Sequence, residues 1–203
     1  MKLTYKLNKN KDGLVVTGGV DLKGEVTIPS EGGFEGKIYP VTEIGSRAFD
    51  DSRDWFYYFG GTPKNFNIVI PNSVTKIGKR AFSNSRLSSV VIPNSVTKIE
   101  DDTFLNCYDL NSIVIPDSVT KIGEAAFGGC KSLESIVIPN SVIKIGKYAF
   151  NDSKLSSIVI PDSVTKIGND AFYHCSSLQK IVISNASLLK RAGVPEGVEI
   201  VTP

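Results

Sequence analysis

Histidine, cysteine and methionine are scarce in this 203-residue chain, which contains one, three and one of them, respectively. The single histidine, His174, adjoins Cys175; neighbouring side chains in a turn rarely face each other, so the pair does not predict a catalytic nucleophile. No run of about 18 apolar residues occurs, which predicts no transmembrane helix. Residues Met1 to Lys6 lack the apolar segment of a signal peptide. A formal net charge of +2 predicts no strong attraction to nucleic acid.

A segment of 22 or 23 residues recurs along the chain almost verbatim. Its copies begin at Ile68, Val90, Ile113, Ile136 and Ile158, and a fragment begins at Ile181. A fixed period of this size predicts a solenoid, in which each coil contacts only its neighbours. A solenoid presents an extended surface rather than a pocket, so the repeat favours binding over catalysis.

The cysteines are placed by the repeat, because Cys107, Cys130 and Cys175 each follow a repeat phenylalanine by three residues. Ser85 and Ser153 hold the same place in the other two copies. This placement predicts small buried side chains. The alternative is a disulfide between Cys107 and Cys130, since coils about 4.8 Å apart lie within the usual Cα range of a bridge. No second ligand recurs beside these residues, so we predict no metal site and no cofactor.

Four regions follow from the repeat. Residues 1–28 predict an N-terminal β cap, because Leu3, Tyr5 and Leu7 alternate with polar residues before a turn and a second apolar run. Residues 29–67 form a degenerate first repeat with an aromatic-rich insertion, and residues 68–180 form five regular repeats. Residues 181–203 predict a C-terminal half-repeat and cap, since a repeat array exposes its core at an uncovered end.

Within one coil, alternation predicts a strand with its isoleucines inward, and the proline after it ends the strand. The repeat glycine predicts a sharp turn. The Ala-Phe pair predicts a short helical turn that sends the ring into the core.

The repeat string Leu-x-x-Ile-x-Ile-Pro-x-Ser-Val-Thr-x-Ile-Gly-x-x-Ala-Phe-x-x-Cys, seen almost complete from Leu110 to Cys130, resembles the BspA-type leucine-rich repeats. The match runs from about Val26 to Ile183; its departures are Glu100 for Gly, Thr103 for Ala, Ile143 for Thr and Ser184 for Pro. We therefore predict an α/β repeat solenoid: a right-handed leucine-rich repeat with short strands, short helical turns and an N-terminal β-hairpin cap. The resemblance implies a bacterial cell-surface or secreted protein, with adhesion to host extracellular matrix proteins or other bacteria, and it carries no shared active site.

One repeat position forms a stripe of lysines, preceded in the first coil by Glu43. We call this the lysine stripe: Lys76, Lys98, Lys121, Lys144 and Lys166. At about 4.8 Å per coil, five ammonium groups span about 19 Å. Two interpretations remain open: an anion-binding surface for acidic glycans or acidic protein patches, or a solvated face copied with the repeat.

A second stripe consists of valines that lie between the inward isoleucines and should point outward. We call this the valine stripe: Val69, Val91, Val114, Val137 and Val159, continued by Val182. An exposed apolar band is typical of a protein-binding surface. The alternative is that valine serves strand formation and is partly covered by neighbouring elements.

The insertion between the first two coils is the third candidate, with Trp55, Tyr57 and Tyr58 among five consecutive aromatic residues. Trp and Tyr are enriched in binding hot spots. The same loop could instead cover the first coils.

These features together predict a monomeric, non-enzymatic interaction module that binds a protein or an acidic glycan, in the manner of an adhesin. They predict neither nucleic-acid binding nor membrane insertion by this segment. The alternative is a structural spacer or self-assembly domain without a dedicated ligand.

Overall fold

The computed structural model describes residues 2–20, 22–50 and 65–203, which form a β-solenoid of about seven turns. The strands are short because proline or a turn ends each one. They are β1 Lys2–Leu7, β2 Leu14–Val20, β3 Gly24–Thr27, β4 Glu31–Phe34, β5 Lys37–Ile44, β6 Phe66–Val69, β7 Lys76–Ile77, β8 Leu87–Val91, β9 Lys98–Ile99, β10 Ser112–Val114, β11 Lys121–Ile122, β12 Lys144–Ile145, β13 Ser157–Ile160, β14 Lys166–Ile167, β15 Lys180–Ile183 and β16 Glu199–Val201. A turn of 3-10 helix covers Ala186–Leu189.

The N-terminal strands form a hairpin that extends the sheet of the first coils. β1 and β2 pair antiparallel, and β2 pairs in parallel with β5. β5 also pairs antiparallel with β4 and in parallel with β7. Leu3, Tyr5 and Leu7 pack against the core from β1.

Parallel strands from successive coils stack in two series along the solenoid. On one side, β3, β6, β8 and β10 form one sheet, and β13, β15 and β16 form another. Residues 135–138 lie between these two sheets and are extended but not paired into either. On the other side, the Lys-Ile strands β9, β11, β12 and β14 form a sheet in register.

The structure does not confirm the predicted short helical turns at the Ala-Phe pairs. The residue before the pair has a left-handed backbone, as at Arg80 with φ 58° and Ala125 with φ 47°. A second left-handed residue follows the phenylalanine by two positions, as at Asn84 with φ 59°. Two such residues in one segment stop a right-handed helix from propagating. The fold is therefore a β-solenoid with tight turns rather than an α/β solenoid.

These turns leave alternate amide groups free to bond to the next coil. The Ala81 amide donates to the Gly78 carbonyl within its own turn at 3.1 Å, whereas the Phe82 amide donates to the Thr103 carbonyl of the next coil at 2.9 Å. The same pattern joins Phe104 to Ala126 and Phe127 to Ala149. A helix would have used these amides internally, so the turns satisfy the backbone by joining coils.

The core is a continuous column in which one phenylalanine per coil stacks on the next. Neighbouring centroids lie 5.2 to 5.7 Å apart, and the ring planes are within 9° of parallel. The rings belong to Phe49, Phe82, Phe104, Phe127, Phe150 and Phe172. Offset stacking at these distances is a favourable arrangement of aromatic pairs.

The repeat glycines are required by the close approach of coils. A Cβ placed on Gly146 would lie 2.4 Å from the Gly123 carbonyl carbon, and one on Gly168 would lie 2.3 Å from the Lys147 amide nitrogen. Glu100 carries a Cβ at this position, and the stack is interrupted there: β7 pairs with β5 and β9 with β11, but β7 and β9 do not pair. The interruption therefore coincides with the one regular coil that lacks the repeat glycine.

Candidate binding surfaces

The valine stripe lies on the solvent side of the strands that precede proline. Its neighbours Ile68 and Ile70 are buried, while Val69, Val91, Val114, Val137 and Val159 are 45 to 82% exposed. Val182 is half-buried. The parallel registers Val69 to Val91, Val91 to Val114 and Val159 to Val182 place the side chains in one line along the solenoid. The stripe is therefore a ridge of branched apolar side chains in contact with water.

Val137 is the most exposed member of the stripe, at 82%. It lies in the extended segment 135–138 that separates the two sheets of this side. Val114 and Val159 flank it at 53% and 61% exposure. A partner gains free energy by removing exposed apolar area from water, so contact at the centre of the stripe should contribute most to the affinity.

The lysine stripe lies on the other side, on the first residue of each Lys-Ile strand. Lys98 pairs with Lys121, Lys121 with Lys144, and Lys144 with Lys166 in parallel register. Glu43 pairs with Lys76 at the N-terminal end of the stripe, and the two side chains form an ion pair at 3.5 Å. Like charges on directly opposed strand residues are destabilising, by about 1 kcal/mol for two unit charges 4 Å apart in water.

Hydroxyl groups flank the lysine stripe. The residue before each lysine is exposed threonine in four of the five coils, at Thr75, Thr97, Thr120 and Thr165. Ile143 takes this place in the remaining coil and is 52% exposed. The hydroxyl groups of Thr75, Thr120 and Thr165 donate to backbone carbonyls of the preceding coil at 3.3 to 3.4 Å. This face therefore presents ammonium groups and hydroxyl oxygens.

The aromatic insertion falls outside the described residues. Trp55, Tyr57 and Tyr58 therefore remain candidates from the sequence alone.

The cysteines are structural. All three are free and buried, and their thiols donate to carbonyls of the preceding coil: Cys107 to Phe82 at 2.9 Å, Cys130 to Phe104 at 3.3 Å, and Cys175 to Phe150 at 3.0 Å. Burial raises the pKa of the Cys107 thiol to about 12 and raises the pKa of the Cys130 and Cys175 thiols. Since the thiolate is the nucleophilic form, these residues are poorly suited to attack a substrate.

His174 does not join Cys175 in a catalytic pair. Its side chain is exposed and stacks on Tyr173 with ring centroids 3.9 Å apart, whereas Cys175 points into the core. Within residues 2–20, 22–50 and 65–203, no three His, Cys, Asp or Glu side chains cluster to hold a metal ion. The same residues include no helix with the length and hydropathy to cross a membrane.

Two sets of contacts between coils were missed by the sequence reasoning. In four of the five regular coils, the serine after the proline turn donates to a valine carbonyl of the preceding coil: Ser95 to Val74, Ser118 to Val96, Ser141 to Val119 and Ser163 to Val142, at 2.6 to 2.8 Å. The equivalent Ser73 Oγ is buried and makes no such bond to a described residue. The recurrence of serine at this position in all five regular copies is the sequence signal for these bonds.

The second set consists of ion pairs, which require the coil alignment before they can be recognised. Lys79 binds Asp101 at 2.6 Å, Arg80 binds Asp102 at 3.2 Å and Lys154 binds Glu134 at 2.7 Å. Burial alone would raise the pKa of Asp101, but hydrogen bonds from the Lys79 ammonium and the Glu124 amide lower it overall.

Known proteins share this architecture. Residues 97–191 match the BspA type leucine rich repeat region in six copies. A Treponema pallidum leucine rich repeat protein superposes with a TM-score of 0.73 and 27% identity, over 96% of this chain and 88% of that one. A leucine rich cell surface protein of Faecalibacterium prausnitzii A2-165 gives a TM-score of 0.61 and 29% identity, over 88% of this chain. This chain covers 52% of that protein, about half its length.

The pneumococcal vaccine antigen PcpA shares the fold, with a TM-score of 0.58 and 20% identity over 98% of this chain and 65% of that one. No curated protein matches this chain. The six repeat copies and the solenoid of about seven turns agree with each other and with the sequence resemblance. Residues 97–191 of this protein are a BspA-type leucine-rich repeat region.

Proposed function

We propose that this protein is a non-enzymatic interaction module of a bacterial cell-surface or secreted protein, and that it binds a protein partner through the valine stripe. The observation that carries the proposal is the row of exposed valines, 45 to 82% in contact with water, on consecutive coils. The surface location is supported by the cell surface protein of F. prausnitzii, to which the chain is similar. A partner in the host extracellular matrix fits such a location.

The shape of the stripe supports contact with a broad partner. Interfaces gain from apolar side chains at their centre and polar groups at their rim. Exposed Ser112, Ser135 and Ser157 precede the central part of the stripe by two residues and supply hydroxyl groups at its edge. Affinity should therefore be spread over several coils, because each coil offers one exposed valine.

Immobilised fibronectin and fibrinogen are suitable first probes. We would compare the protein with the variant V114T/V137T/V159T, in which threonine preserves the β-branched shape but adds a hydroxyl group. Saturable binding that weakens at least about tenfold in the variant supports the proposal, since a fully buried valine contributes about 1.5 kcal/mol or more.

A matched control removes an exposed apolar side chain elsewhere. Ile143→Thr places the threonine of the other coils at a site that is 52% exposed on the lysine side. It should leave the affinity unchanged. Equal binding by the triple variant and the protein would contradict a role for the valine stripe. Absence of binding combined with a mass that rises with concentration would favour the self-assembly alternative.

A further inference from the structure

Ion pairs join neighbouring coils at several places on this surface. Among the described residues, seven ion pairs join one coil to the next: Lys76–Glu43, Lys79–Asp101, Arg80–Asp102, Arg86–Asp109, Lys131–Asp152, Lys154–Glu134 and Lys180–Glu199. In each of them the repeat places opposite charges on adjoining coils. Cross-coil neutralisation is therefore the common pattern of this surface.

Four lysines depart from that pattern. Lys98, Lys121, Lys144 and Lys166 stand directly beside one another in register, and none forms an ion pair with a described carboxylate. Asp101 lies close enough to Lys121 for that ammonium to contribute to lowering the pKa of Asp101, but the Asp101 carboxylate is bound by Lys79 at 2.6 Å. At one end, the row follows the Lys76–Glu43 pair. At the other end it stops at Lys166 in β14, the strand that contacts the 3-10 helix.

We propose that the row Lys98, Lys121, Lys144 and Lys166 binds a linear acidic glycan laid along the solenoid axis. Four ammonium groups at about 4.8 Å per coil form a straight line about 14 Å long, which complements a chain carrying negative charges at regular intervals. Bound anionic groups would also reduce the repulsion between the lysines, and this gain adds to the direct attraction between the glycan and the ammonium groups.

The surroundings of the row favour a glycan over an acidic protein segment. Thr97, Thr120 and Thr165 present hydroxyl groups beside it, and Ile143 is the exposed apolar side chain of that column. Protein interfaces rely on apolar or aromatic anchors that fill pockets. A face of ammonium and hydroxyl groups instead matches the sulfate, carboxylate and hydroxyl groups of a sugar chain. The site is separate from the valine stripe, so either proposal can fail without the other.

A heparin oligosaccharide and a polyglutamate peptide of similar length are the probes for this site. The test variant is K121Q/K144Q, which removes the two central charges. The control K6Q/K9Q changes the net charge equally at two exposed lysines of the N-terminal hairpin, away from the row. We expect heparin binding to fall about fivefold or more in the test variant, since an exposed ion pair contributes up to about fivefold in affinity, and its salt dependence to become shallower. The control should retain the affinity of the protein.

A second variant tests the row without any ligand. Lys144→Glu places a carboxylate between Lys121 and Lys166, as in the ion pairs elsewhere on the solenoid, and should raise the melting temperature at low salt while weakening heparin binding. Equal heparin binding by the test and control variants would overturn the proposal. Tighter binding of polyglutamate than of heparin would overturn the choice of a glycan. A melting temperature lowered by Lys144→Glu would show that the row is not repulsive and would also count against the proposal.

Discussion

Removal of one ring from the phenylalanine column is expected to weaken the whole array. Phe127 is fully buried and stacks between Phe104 at 5.4 Å and Phe150 at 5.6 Å. Phe127→Ala removes the apolar contacts of the ring and leaves a cavity that the flanking backbone cannot close, because amides of the same turn are bonded to the next coil. Such a change costs about 3–5 kcal/mol.

The expected loss is a large share of the stability of a domain of this size, which is typically about 5–15 kcal/mol. For a chain of 150–250 residues it corresponds to a fall of about 6–20 °C in the melting temperature. Urea unfolding followed by circular dichroism, with calorimetry as a second probe, would measure it. Since each coil contacts only its neighbours, the weakened contact in the middle of the array should also make the two halves of the solenoid unfold in separate transitions.

Two comparisons make the reasoning refutable. Phe127→Leu keeps most of the apolar volume and should cost much less than the alanine variant. Phe172 ends the series of stacked rings and contacts one ring partner, Phe150 at 5.7 Å, so Phe172→Ala should cost less than Phe127→Ala. A loss below about 1 kcal/mol for Phe127→Ala would show that the stack is not what couples the coils.

Three further predictions concern the turns, the thiols and pH. Ala125→Gly should raise the free energy of unfolding by about 0.5–1 kcal/mol in urea titrations, because φ at Ala125 is 47° and glycine adopts this conformation without strain; a loss would contradict the turn geometry. The three cysteines should resist iodoacetamide at pH 8 when folded and all react in denaturant, whereas one reactive thiol in denaturant would reveal a disulfide. Asp101→Asn should lower stability slightly at pH 7. The lowered pKa of Asp101 makes its contribution fully present above the ordinary carboxyl pKa of about 4 and lost as pH falls through the lower folded-state pKa, so the difference should shrink in thermal melts as the pH is lowered below 4.

The repeat period allowed much of the fold to be predicted, because identical residues at fixed spacing must occupy equivalent places in a stack. Inward isoleucines and outward valines follow from alternation, and Ile68, Val69 and Ile70 show it directly. The match of residues 97–191 to the BspA type region confirms the family resemblance. The binding roles of the lysine and valine stripes remain predictions.

The turns could not be predicted from local preference. The Ala-Phe pair suits a helix, but whether Phe82 bonds within its turn or to Thr103 depends on the neighbouring coil. The glycine position was recognised, although the reason for it was not: the distance of 2.4 Å between a Cβ on Gly146 and the carbonyl carbon of Gly123 exists only once coils are stacked. Glu100 departs from the repeat in the sequence, but only the structure reveals that β7 and β9 do not pair at this point.

The ion pairs show that contacts between coils on the surface could not be predicted from the sequence alone either. Lys79 and Asp101 are 22 residues apart and occupy the same repeat position in neighbouring coils, so nothing in either copy alone suggests a contact. The alignment of coils brings them to 2.6 Å. The same alignment reveals that the four lysines beyond Lys76 lack such partners among the described residues.

The central claim is that consecutive coils form one extended contact surface. The most direct test is a stepwise series in which Val137, then Val114, then Val159 are replaced by threonine and affinity for a bound matrix protein is measured by surface plasmon resonance. The account predicts a loss at every step, with the largest at Val137, the most exposed member of the stripe. An affinity that stays constant through the whole series would contradict it.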